Sequence, residues 1–173
     1  MPPSAPMIPA GVLVGLGEAK VLKASRDVDA ALVAYGLGSC IALCLWDPQS
    51  QVAGMAHVVL PGEDPMGAPN PRFAGSAVPA LVSLMHAYGA SGDPRRLVAR
   101  FAGGAQVLAL DRARGVARVG EANARAVRQA LAEAGVSVHA HDVGGSSGRS
   151  VWFDPRDGGQ IRVRAIGSAD RYL

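Results

Sequence analysis

The sequence predicts an α/β (α+β) protein with mainly antiparallel or mixed strands and two principal helices. Three observations lead there. Five short strand-like runs crowd the chain before residue 61, two segments with apolar residues at three- and four-residue spacing follow with a strand between them, and the last third returns to strands. At 173 residues the chain is one domain by the usual prior, long enough to bury roughly two thirds of its unfolded surface in a single core. No repeat and no linker divides it.

Taken in order, Met1–Ala10 carries Pro2, Pro3, Pro6 and Pro9 without a basic or strongly apolar run, which predicts a disordered leader over 1–10 and neither a signal peptide nor an anchor. The domain then runs over 11–166, with a short tail over 167–173. Val12–Gly17, Ala19–Ala24 and Ala30–Tyr35 read as strands. Ile41–Trp46 and Gly54–Leu60 read as two more, joined through Asp47-Pro48-Gln49-Ser50 as a hairpin. Residues 61–71, rich in proline and glycine, read as a loop.

Ala77, Val78, Leu81, Leu84, Met85 and Tyr88 share one face of a helix over Phe73–Tyr88, closed by Gly89. Pro79 lacks the amide hydrogen a helix interior needs, so either the helix starts close to it or its first turns bend. Leu97–Ala102 is a strand stopped by Gly103-Gly104. A second helix over about Glu121–Ala134 puts Ala124, Val127, Leu131 and Ala134 inward, Arg125, Arg128 and Glu133 outward, and ends at Gly135. Strands follow at Ser137–Val143, Ser150–Asp154 and Gln160–Ile166. The glycine loop at 144–149 precedes a strand, whereas a phosphate cradle needs a helix there.

Charge and composition narrow the function. The net charge of +3 and pI near 9.2 come from scattered arginines with no basic run, which argues against a nucleic-acid surface. No stretch reaches the ~18 apolar residues of a membrane span. Two cysteines four positions apart do not form a secreted disulfide framework, and free thiols suit a reducing, cytoplasmic setting.

The chemistry centres on Tyr35-Gly36-Leu37-Gly38-Ser39-Cys40 and on Ala56-His57-Val58, 17 residues beyond the cysteine. The glycines let the chain turn sharply and expose the sulfur. A hairpin between the two strands brings Cys40 near His57 as nucleophile and base. Backbone amides of the Gly38-Ser39-Cys40 turn are the first choice for oxyanion donors, and Gly103 and Gly104 approach to complete the wall. The other candidates read as structural. Cys44 sits in an unbroken apolar run and reads as a buried thiol. His86 reads as a surface or boundary residue. His139 and His141 share a strand face without a third ligand at a telling spacing, so no metal site is expected.

These residues resemble the CheD family, the chemoreceptor glutamine deamidases of bacterial and archaeal chemotaxis. The likeness runs from about Gly11 to Ile166. It rests on Gly36-Leu37-Gly38-Ser39-Cys40, Ala56-His57 with Leu60-Pro61, Ala102-Gly103-Gly104-Ala105, Gly120-Glu121-Ala122-Asn123, and Gly144-Gly145 with Gly148-Arg149 and Val151. The resemblance implies a layered α/β sandwich related to cytotoxic deamidase toxins, with Cys40 as nucleophile, His57 as base and no cofactor. It implies hydrolytic conversion of specific glutamines to glutamates on the cytoplasmic helical bundle of methyl-accepting chemotaxis receptors, and a CheC-type phosphatase as a partner. The family's usual threonine, which orients the histidine, is here Ala34. The orienting group is then a backbone carbonyl, the Ser39 or Tyr35 hydroxyl, or nothing. Trp46, Phe73 or the 61–71 loop could supply an apolar rim to grip a receptor helix. Beside the deamidase stand two other readings: a non-catalytic binding module engaging the phosphatase or receptor, which Ala34 favours, and another cysteine amidohydrolase.

Overall fold

A computed structural model of the chain describes residues 10–107 and 118–173. The expected leader lies outside them except at Ala10, which opens the first strand. In chain order the elements are β1 (Ala10–Leu13), β2 (Ala19–Lys23), β3 (Ala30–Leu37), β4 (Ile41–Asp47), β5 (Val52–Val58), α1 (Ala74–Ala87), β6 (Val98–Gly103), α2 (Val119–Ala134), β7 (Ser137–Val143), β8 (Arg149–Phe153), β9 (Arg162–Ala165) and β10 (Arg171–Tyr172). They form a central sheet ordered β2-β5-β4-β6-β7 and an outer sheet ordered β1-β3-β8-β9-β10. Both are mixed: β1–β3 and β6–β7 pair parallel, the other neighbours antiparallel.

β4 sets the layering, because it is buried on both faces and therefore reads as a continuous apolar run. Ile41, Leu43 and Leu45 pack with Leu81, Met85, Val127 and Leu131 of the helices. Ala42, Cys44 and Trp46 pack with Leu32, Ala34, Val151 and Phe153 of the outer sheet. The result is a three-layer α/β/β sandwich with the central sheet in the middle. It agrees with the predicted class of two principal helices on mixed sheets. The hairpin between β4 and β5 forms as expected, with the Asp47 carboxylate accepting the Gln49 amide at 2.9 Å inside the turn.

Three local features add detail to the sequence reading. α1 begins five residues before Pro79, because the Ala74 amide donates to the Leu60 carbonyl at 2.9 Å and the Gly75 amide to the Gly62 carbonyl at 2.7 Å, which anchors the first turn from outside the helix. The tail is not a loose end. Arg171 and Tyr172 pair with β9, and Leu173 and Ile161 exchange backbone bonds at 3.0 and 3.1 Å. Of the glycines around Tyr35–Cys40, only Gly36 has a positive φ, 62°, within a register break between Ala34 and Leu37.

α1 crosses β5 so closely that no side chain fits at Gly54. A Cβ there would lie 2.7 Å from Met85 Sδ and 2.9 Å from Leu81 Cδ1. Gly54→Ala is therefore expected to destabilise the fold by about 1–3 kcal/mol through over-packing. Urea or thermal unfolding reads the change, and an unmoved midpoint would show that the contact yields without cost.

Candidate active site

The segment bearing Cys40 is held carbonyl by carbonyl. After the Gly36 turn, the Gly38 carbonyl accepts the Ala105 amide at 2.7 Å and the Cys40 carbonyl accepts the Gly104 amide at 2.8 Å. Between them, the Ser39 carbonyl accepts the Asn123 side-chain amide at 2.9 Å. Gly103 makes this approach possible: it has φ of 125°, and a Cβ on it would strike the Cys40 carbonyl oxygen. Among the described residues no hydrogen bond occupies the amides of Gly38, Ser39 and Cys40.

His57 is pinned from three sides. Its residue pairs with Ala42 across β4. Its amide donates to the Glu18 carbonyl at 2.9 Å, and its own carbonyl accepts the Gly17 amide at 2.9 Å. Its Nδ1 lies 3.0 Å from the Val14 carbonyl, an acceptor only, so Nδ1 carries a proton. The residue is 5% exposed, and Nε2 is buried with no hydrogen-bond partner among the described residues.

The β4–β5 register relates the two residues. Ala42 faces His57, and two further steps along the register, past Ile41 and Val58, set Cys40 beside Val59, diagonal to His57. Such diagonal neighbours have Cα atoms roughly 7–8 Å apart. Cys40 packs against the same inter-sheet core as Ala42, so it shares the face on which His57 stands. The sulfur does not hydrogen-bond Nε2 in this arrangement, since that nitrogen has no hydrogen-bond partner among the described residues. Sequence spacing thus brings the pair to one face, but not to hydrogen-bond contact.

Burial pushes the Cys40 thiol above the ordinary cysteine range, and the Arg72 cation pulls it back. Arg72 lies beside the site: its Cβ would be 3.2 Å from a Cβ on Gly17, and its carbonyl accepts the Val59 amide at 2.9 Å. Cys44, wholly enclosed between the sheets, is driven far higher by burial and stays a thiol. A cleft of about 270 Å³ opens at Gly38 and Ser39, walled by Gln106, Val107, Arg118 and Val119. A larger, more apolar groove of about 440 Å³ runs along α1 and α2 near Pro79 and Ala130, and neither Cys40 nor His57 lines either space.

Several expected site residues stand elsewhere. Tyr35 is exposed on the outer face of β3, edge-on to Trp152, because Ala34 takes the inward position. Its hydroxyl does not orient His57, and neither does that of Ser39 among the described hydrogen bonds. Gly104 spends its amide on the Cys40 carbonyl, so it shapes the wall instead of facing an oxyanion. Trp46 is 5% exposed at the far end of β4, against Phe153 and Gly159, and offers no rim. Phe73 is half-buried and caps α1. Met66 of the 61–71 loop is exposed. His139 is exposed on β7, and His141 stacks on Phe101 and accepts a bond from Arg128 at 3.2 Å. The described residues hold no group of three metal-ligating side chains.

Two residues were not singled out in the sequence. Asn123 was visible only as part of Gly120-Glu121-Ala122-Asn123, and nothing near it in sequence points to Ser39. Arg72 follows a proline at the end of a loop, a position that carries no local signal. The glycine loop after β7 also belongs to this end of the molecule: Gly144 donates to the Gly103 carbonyl at 3.0 Å, and Arg149 ties Gly103 to Asp142, the latter at 3.0 Å.

A free thiol, a one-sided imidazole and unoccupied amides beside a cleft suit acyl transfer from an amide. Comparison with known proteins points the same way. A family model described as "CheD chemotactic sensory transduction" matches residues 59–165, and so begins two positions after His57. "Probable chemoreceptor glutamine deamidase CheD" of Archaeoglobus fulgidus is 37% identical over 85% of this chain and 88% of its own. The protein of the same name from Symbiobacterium thermophilum is 40% identical over 92% of this chain and 95% of its own. Among solved structures, Neisseria meningitidis protein NMB0706 aligns at 12% identity and a TM-score of 0.42, over 82% of this chain and 60% of that one. No described helix is long and apolar enough to cross a membrane. Matched by the family model over more than half its length, and aligned along most of both chains with those relatives, this chain belongs to the CheD family.

Proposed function

We propose that this chain is a protein-glutamine deamidase that converts glutamines of chemotaxis receptors to glutamates through Cys40 and His57. The observation that carries this reading is the state of His57: Nδ1 is committed to the Val14 carbonyl, while Nε2 is buried and bare on the face it shares with Cys40. A buried acceptor without a partner costs about 1–3 kcal/mol. A base held ready for a proton accounts for that cost.

The reaction proceeds in two halves. Cys40 Sγ attacks the side-chain carbonyl carbon of glutamine as its proton passes to His57 Nε2. The tetrahedral oxyanion lies against the amides of Ser39 and Cys40. Nε2–H then protonates the departing nitrogen, the C–N bond breaks, ammonia leaves and a γ-glutamyl thioester remains. Water next gives a proton to Nε2 and attacks the thioester. The C–S bond breaks, the thiolate recovers its proton, and glutamate is released. The raised Cys40 thiol makes the resting nucleophile a thiol, so the proton moves during attack and no preformed thiolate is needed.

The Val14 carbonyl does for His57 what a threonine hydroxyl would do, so Ala34 gives no reason to prefer a non-catalytic module. The names of the relatives support chemoreceptors as substrates; a CheC-type phosphatase as partner and the cytoplasm as the place of reaction are parts of the same proposal.

Incubation with receptor cytoplasmic fragments, followed by mass spectrometry for glutamine-to-glutamate conversion, tests the proposal. Conversion is expected to vanish in Cys40→Ala and to fall about 10²–10⁴-fold in His57→Ala. Retention in Cys40→Ala would end the proposal; backbone cleavage instead would favour another cysteine hydrolase. The thiol has its own pH signature. Alkylation of Cys40 by iodoacetamide is expected to rise with pH through a midpoint above that of free cysteine, and Arg72→Ala should move the midpoint higher still, because a cation that favours the thiolate is lost. A midpoint below that of free cysteine would contradict both.

A further inference from the structure

We propose that Asn123 is a positioning residue that aims the Cys40 amide at the oxyanion. The inference rests on the assignment of Cys40 as nucleophile and adds a residue from α2, whose first residues also wall the cleft at Gly38 and Ser39. Asn123 lies in α2, is fully buried, and donates its side-chain amide to the Ser39 and Val59 carbonyls, both at 2.9 Å. Ser39 immediately precedes Cys40. Val59 is two residues past His57, just beyond the last paired residue of β5. Both acceptors are carbonyls, so the side-chain orientation is forced, and Asn123 Oδ1 is left buried without a partner among the described residues.

A polar side chain that leaves an acceptor unpaired in the core is a poor choice for stability alone. Its geometric effect is specific. The peptide unit is planar and trans, so the Ser39 C=O and the Cys40 N–H belong to one rigid plane and point in opposite directions. Holding that carbonyl toward α2 turns the Cys40 amide away from it, on the side where no hydrogen bond occupies it among the described residues. Asn123 reaches the carbonyl because Gly120 and Gly104 meet backbone to backbone. A Cβ on Gly104 would lie 2.7 Å from the Gly120 carbonyl oxygen.

Deamidation passes through an oxyanion, whereas alkylation by iodoacetamide displaces iodide at an sp³ carbon and does not. The two reactions on the same sulfur therefore separate this role from a general loosening of the site. In Asn123→Ala, kcat for conversion of glutamine in receptor fragments is expected to fall about 10–10²-fold, short of the ~10²–10³ for outright loss of one oxyanion donor because the Cys40 amide stays but loses its aim, with KM nearly unchanged. Cys40 alkylation in the same variant should stay within about threefold of the parent, since no donor acts on it. Leu131→Ala, a truncation of a fully buried residue on the same helix away from the site, is the control for destabilisation and should keep kcat at the parental level below its melting point. If Asn123→Ala does not fold, Asn123→Ser, which retains one donor, carries the same comparison with a smaller loss of kcat. Parental kcat in a folded variant would overturn the inference, as would alkylation falling in step with deamidation. Full activity of Asn123→Ala beside a dead Cys40→Ala would remove only this inference, whereas an active Cys40→Ala would remove the nucleophile on which it rests.

Discussion

His57 meets the Val14 carbonyl across the space between the two sheets, and that contact decides which ring nitrogen is left for chemistry. Val14 follows β1 of the outer sheet and donates its own amide to the Val33 carbonyl at 2.8 Å, so the acceptor is itself fixed. β5 of the central sheet fixes the ring from the other side. The bond thus links the registry of two sheets to the protonation pattern of one side chain. Ala34, the position without a hydroxyl, remains a core residue packed opposite Val151 and has no part in it.

Cys40, the proposed nucleophile, is held on a different principle. Three successive carbonyls, those of Gly38, Ser39 and Cys40, are each accepted into bonds from the exit of β6 or from α2. Planar peptide units turn that constraint on the carbonyls into a constraint on the amides that follow them. Gly103, Gly104 and Gly120 supply the close backbone approach on which this depends. His57, the proposed base, is therefore placed by sheet pairing, and Cys40 by loop anchoring. They share a face without touching at rest, an openness common in substrate-free sites whose hydrogen bonds tighten on binding.

Much of this was readable from the chain. β4 and β5 announce themselves as apolar runs around an Asp-Pro turn, and the antiparallel register then puts Cys40 and His57 on one face by parity alone. The inward face of α2 follows from its spacing, with Ala130 replacing Ala134 as its most buried terminal alanine. Other features were not readable, for physical reasons. A backbone carbonyl such as that of Val14 has no side-chain signature, so a sequence cannot show that it replaces a hydroxyl. The bond from Asn123 to Ser39 spans 84 residues and exists only once α2 docks on β6. Tyr35 looked adjacent to the site because it is adjacent in sequence, yet it lies on the outer face of β3. Trp46, one of three candidates for an apolar rim, is adjacent to the site only in sequence, and its place on a strand buried on both faces encloses it.

The tautomer of His57 tests the central claim most directly. Long-range proton–nitrogen NMR spectra of the ¹⁵N-labelled protein, recorded at a pH where the ring is neutral, distinguish a protonated ring nitrogen from a bare one. A proton on Nδ1 and a bare Nε2 are the predicted result. A proton on Nε2 with Nδ1 bare would mean that the Val14 contact is absent in solution, and Nε2 would then have no lone pair with which to receive the Cys40 proton.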